Sequence, residues 1–147
     1  MHMRLNHIDH VGINVNDLAA AKAFFIEFGL EVEAEWRAEG AWLDQIVGLD
    51  GVRTEAIMLL LPDGQTKLEL VKYVAPADES GLQPALANAH GIRHIAIQVD
   101  DLEAVVARLK DKGMDVFGDI YNYEDTFKLV YCRGPEGIIL ELAEALK

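Results

Sequence analysis

The chain has 147 residues, a formal net charge of −12 and an apolar fraction of 51%. That is room for one ordinary domain or two small modules with a buried core, which excludes an intrinsically disordered chain. The acidic balance argues against nucleic acid or an anionic membrane as partner, since both are held largely through Lys and Arg. No run approaches the roughly 18–20 apolar residues of a membrane span.

Residues 8–15 alternate with the period of two that marks a strand. Val11, Ile13 and Val15 share an apolar face, and His10, Gly12 and Asn14 share the other. Asn16 and Asp17 offer an N-cap for a helix over residues 18–28, with Ala21, Phe24, Phe25 and Phe28 as its apolar stripe and Gly29 as its stop. A strand follows at residues 31–37. Residues 38–53 are weakly periodic and read as a loop with room for a helical turn. Strands at 55–61 and 67–73 flank a turn at Pro62, Asp63 and Gly64. Residues 75–92 form a connector, with room for a short helix after Pro84.

The order then repeats. Residues 94–99 form a strand with Ile95, Ile97 and Val99 on one face and His94, Ala96 and Gln98 on the other. Asp100 and Asp101 cap a helix over residues 102–112, which Gly113 ends. Strands follow at 115–117, 126–133 and 138–143, with a turn at Pro135, Glu136 and Gly137. The correspondence is literal: His10 and His94, Ile13 and Ile97, Asp17 and Asp101, and Gly29 and Gly113 each stand 84 residues apart. Leu68-Glu69-Leu70 is answered by Leu140-Glu141-Leu142. Two tandem βαβββ modules, residues 4–74 and 93–147, predict an α+β fold: a curved, barrel-like, mostly antiparallel sheet with helices outside.

Each module therefore opens on a histidine and closes on a glutamate. If the flanking leucines pack beneath the helices, Glu69 and Glu141 point the other way, toward the face that carries His10 and His94. Two imidazoles and two carboxylates suit a divalent transition metal: Ni, Zn, Co, Mn or Fe. A lone histidine or glutamate on a strand is more often structural; the recurrence in both halves is what favours a metal site. His7 and His90 fall outside the pattern and read as structural or exposed. Trp36, Trp42, Tyr121, Tyr123 and Phe127 either wall a pocket or belong to the core. The single Cys132 excludes an intrachain disulfide, suits a reducing cytoplasm and reads as packing. The opening MHMRLNH lacks the apolar stretch of a secretory signal.

The segments DHVGINVNDL, LELVKY, RHIAIQVDDL and GPEGIILELAE resemble the vicinal oxygen chelate superfamily, which includes glyoxalase I, methylmalonyl-CoA epimerase, extradiol dioxygenases and bleomycin-binding proteins. The resemblance covers nearly the whole chain. It implies that His10, Glu69, His94 and Glu141 are metal ligands, a set similar to that of nickel- or cobalt-using bacterial glyoxalase I. The epimerase typically has Gln where this chain has Glu69, and the dioxygenases use two His and one Glu. The implied activity is a metal-dependent lyase or isomerase that chelates a small substrate through vicinal oxygens. Glu141 would move the proton, with Glu69 as its counterpart. Glu55 falls roughly where the epimerase carries a second acid, although its parity with Ile57 and Leu59 suits a buried face equally well. The resemblance also implies a homodimer. A drug-binding protein of the bleomycin-resistance type, an epimerase and a dioxygenase are the alternatives.

Overall fold

The structure is a computed structural model that describes residues 3–80 and 86–146. Pro84 itself lies outside the described residues, and residues 86–90, where the expected short helix would continue, form turns and bends instead. The chain divides into two compact units, residues 1–81 and 82–147.

In the first unit, β1 (Val11–Asn14) leads into α1 (Leu18–Glu27). The Asp17 carboxylate accepts from the Ala20 amide at 3.0 Å, satisfying one of the helix's orphan donors. Gly29, at φ +93°, follows α1 in the left-handed region. The chain then runs through β2 (Glu31–Glu39), α2 (Ala41–Val47), β3 (Arg53–Leu60) and β4 (Lys67–Ala75). The sheet order is β1-β4-β3-β2, with β1 parallel to β4 and the other two pairings antiparallel. Ala21 and Phe25 of α1 are fully buried, as are Leu59, Leu68 and Leu70 on the strands.

The second unit repeats the plan. β5 (His94–Gln98), α3 (Leu102–Asp111), β6 (Tyr121–Tyr123), β7 (Phe127–Arg133) and β8 (Ile139–Ala145) give the order β5-β8-β7-β6, again with one parallel pairing, β5 to β8. Asp101 caps α3 by accepting from Ala104 at 3.1 Å. Leu102, Val106 and Leu109 are buried on the helix, and Val130, Cys132, Leu140 and Leu142 on the strands. Burial pushes the Cys132 thiol up to about 11, as befits a packing residue. Removing either cap by Asp17→Ala or Asp101→Ala is expected to cost about 1 kcal/mol (range about 0.5–2), read as a lower urea midpoint.

Both sheets are four-stranded and mostly antiparallel, as expected. Two expectations are corrected. Residues 38–53 are not a loop: β2 continues to Glu39 and α2 follows directly, ending at Gly48 in the left-handed region at φ +75°. Asp44 then accepts from the Gly51 and Val52 amides at 3.0 and 2.8 Å, turning the chain back into β3. The helix buries only Leu43, which is why its sequence is so weakly periodic. Finally, residues 115–117 form no strand beyond a bridge from Val116 to Cys132. The edge strand is β6, joined to β7 by a hairpin turn with Glu124 and Asp125 both at positive φ.

Trp36, Trp42, Tyr121, Tyr123 and Phe127 are all exposed rather than part of the core. Tyr121 and Trp42 are the most exposed, and Tyr123 stacks on Phe127 at 5.2 Å between ring centres. His7 and His90 are exposed as well. No helix among the described residues is long and apolar enough to cross a membrane.

Candidate metal centre

The parallel pairing of β1 with β4 places Gly12 opposite Glu69. His10 lies just before β1, and its ring reaches Glu69 on that side of the sheet. Leu68 and Leu70 take the other face and are 2% and 0% exposed, while Glu69 is only partly covered. The result is an imidazole beside a carboxylate, with His10 Nε2 3.8 Å from Glu69 Oε1. On the far side of the ring, His10 Nδ1 is 2.7 Å from Asp9 Oδ2. That hydrogen bond holds the Asp9 carboxyl below its ordinary value. A Cβ added to Gly12 would sit 3.9 Å from Glu69 Oε1, so a methyl fits beside the carboxylate but a longer side chain would reach over it.

The second unit builds the same pair. Ala96 stands opposite Glu141 in the parallel pairing of β5 with β8, and His94 precedes it by two residues. His94 Nε2 lies 3.7 Å from Glu141 Oε1, and the flanking Leu140 and Leu142 are wholly buried. Here β7 adds a further group. Tyr131 stands directly across from Glu141, its ring 5.1 Å from the His94 ring. Partial burial, together with its hydrogen bond to Glu141, holds the Tyr131 phenol above the usual value. The matching position in the first unit, across from Glu69, is Met58.

A separation of 3.7–3.8 Å is too long for a hydrogen bond. It does fit two ligands of one ion. Bonds of about 2.1 Å set their ends about 3.0 Å apart at a right angle and about 4.2 Å apart in line.

Glu55 lies elsewhere. It pairs in register with Lys72, three residues from the Met58–Glu69 pair, so it projects from the opposite face of the sheet. There it approaches Arg37 Nε at 3.7 Å and lines a cavity of about 580 Å³ with Asn16, Lys22, Glu35 and Lys72. Its parity with the buried Ile57 and Leu59 governs its position, which is on the other side of the sheet from Glu69.

One acidic group absent from the sequence reading comes together among the described residues: Asp101, Glu103 and Glu144. Its carboxylates are already engaged. Asp101 caps Ala104, Glu144 accepts from the Leu102 amide at 2.8 Å, and Glu103 accepts from Lys128 at 2.6 Å. Asp9 and Tyr131 were also missed. Asp9 is signalled only by its adjacency to His10, and Tyr131 only by a strand register the sequence does not reveal.

Residues 7–142 match the model of a family described as the Glyoxalase/Bleomycin resistance protein/Dioxygenase superfamily. The chain is 27% identical to the uncharacterized protein YaeR of Escherichia coli K12 over 146 residues, covering 95% of this chain and 97% of that one. The crystal structure of a glyoxalase family protein from Bacillus cereus superposes with a TM-score of 0.93 at 34% identity, covering 99% of this chain and 97% of the other. A trypanothione-dependent glyoxalase I from Leishmania major shares the fold, with a TM-score of 0.66 at 20% identity over 95% of this chain and 87% of that one.

Proposed function

From the premise that the chain belongs to the Glyoxalase/Bleomycin resistance protein/Dioxygenase superfamily, we propose that it is a metal-dependent lyase or isomerase of the glyoxalase type. Its substrate is a small molecule with oxygens on neighbouring carbons. His10, Glu69, His94 and Glu141 hold a divalent ion, which is Ni, Zn, Co, Mn or Fe. The observation that carries this reading is the repetition, one histidine beside one glutamate in each unit at 3.8 and 3.7 Å.

The ion, when bound, supplies Lewis-acid stabilisation of negative charge developing on a substrate oxygen. The remaining work belongs to the chain. Glu141 accepts the proton from the substrate carbon and returns it to the neighbouring position, as isomerisation requires. Tyr131 donates to the Glu141 carboxylate and steadies it while it is displaced toward the substrate. Glu69, faced by the thioether of Met58 instead of a phenol, remains a ligand. Gly12 and Ala96 keep space open beside the two carboxylates.

The test is elemental analysis of protein purified without added metal, followed by an assay on the hemithioacetal of methylglyoxal and glutathione. About one divalent ion per chain and turnover abolished by a chelator support the reading. Tight binding of a planar drug, with no turnover and indifference to chelators, would make the protein a binding module instead.

A further inference from the structure

We propose that Asp9 is a positioning residue: it fixes the His10 ring with Nε2 turned to the Glu69 side, and so strengthens the hold of His10 on the metal. The inference rests on the metal-site reading above.

A carboxylate only accepts, so the 2.7 Å contact requires the hydrogen on His10 Nδ1. In the neutral ring Nε2 then keeps its lone pair, on the side where Glu69 lies at 3.8 Å. A carboxylate on the rear nitrogen both orients an imidazole and makes it a stronger donor to a metal. In a regular strand, neighbouring side chains project to opposite faces and would not meet in this way. Residues 9 and 10 meet because they precede β1, where the backbone has not yet entered the ladder.

The second half is built differently. His94 is already inside β5, and the residue before it is Arg93, which carries only donors and cannot play the same part. Arg93 Nε is buried with no hydrogen-bond partner among the described residues, and its guanidinium folds back over Gly91. The carboxylates are unequal as well. Glu141 takes a hydrogen bond from Tyr131, whereas Glu69 faces Met58. Two units of like topology thus carry unequal chemistry: a strengthened imidazole in the first, and in the second a carboxylate with somewhere else to go.

The experiment measures metal holding directly. Wild type, Asp9→Asn and Asp9→Ala are loaded with Ni(II) or Zn(II) and titrated with a competing chelator. The Co(II)-loaded forms are compared by visible absorption. Asn keeps an acceptor without the charge, and Ala removes both. The expected order is wild type, then Asp9→Asn, then Asp9→Ala, the last weakened by about 10- to 100-fold, with shifted Co(II) bands. Because Asp9 is exposed, the melting temperature of the metal-free protein is expected to be the same in all three. Wild-type affinity and an unchanged Co(II) spectrum in Asp9→Ala would overturn the role of Asp9 while leaving the metal site in place. Failure of the wild-type protein to hold any of these ions would remove both.

Discussion

Glu141→Gln is expected to cut turnover by about 10²–10⁴-fold, the usual contribution of a positioned general base. The amide has nearly the same shape, so β8 and its buried flanks Leu140 and Leu142 are undisturbed. What disappears is the proton acceptor, along with the anion to which Tyr131 donates. Metal is retained or held more weakly, because His10, Glu69 and His94 remain. The check is kcat and metal content on the same preparation, since a loss of turnover explained entirely by lost metal would not identify a base. Glu69→Gln serves as the comparison. If it abolished turnover while Glu141→Gln did not, the two carboxylates would have to exchange roles.

The second large effect concerns stability. Phe25→Ala is expected to destabilise the protein by about 3–5 kcal/mol, the range for emptying a fully buried aromatic site. Phe25 is 0% exposed and meets Phe24 edge to face at 5.2 Å between ring centres, so its removal costs both buried area and a ring contact. Total stabilities are about 5–15 kcal/mol, so this one change consumes a large share. Ile46→Ala on α2 provides the control: the same kind of truncation at a side chain 72% exposed is expected to stay within about 0.5 kcal/mol. Guanidinium unfolding followed by far-UV circular dichroism separates the two. Equal effects would mean that burial does not decide the cost.

The residues that announced the architecture did so by repetition. The leucines around Glu69 and Glu141 revealed which way the glutamates point, because a strand's period is two and only one face is buried. The same parity linked Glu55 to Ile57 and Leu59, and the structure puts it on their side of the sheet. What stayed hidden depended on signals the sequence lacks. Helix α2 buries one residue, Leu43, leaving Trp42 and Ile46 in solvent, so no apolar stripe marks it. Strand β6 was misplaced because its turn puts Glu124 and Asp125 at φ +49° and +56°, positions where Gly or Asn would have given the hairpin away. Asn122 secures that turn by accepting from the Asp125 amide at 2.9 Å, a tertiary detail with no pattern of its own. Of the site itself, the two His–Glu pairs follow from spacing. The hydrogen bond from Tyr131 to Glu141 required knowing how β7 registers on β8.

The helix α2 has a meaning for how such a chain can change over generations. It interrupts the first unit between β2 and β3, on the path from His10 to Glu69, yet that pair is 3.8 Å apart and its counterpart, without such a helix, is 3.7 Å apart. The histidine and glutamate are tied by β1 lying alongside β4, and the excursion hangs from the far edge of the sheet, at β2. Segments there can be lengthened, shortened or exchanged without moving His10 from Glu69, so one ancestral scaffold can diversify at that edge while the pair stays as it is.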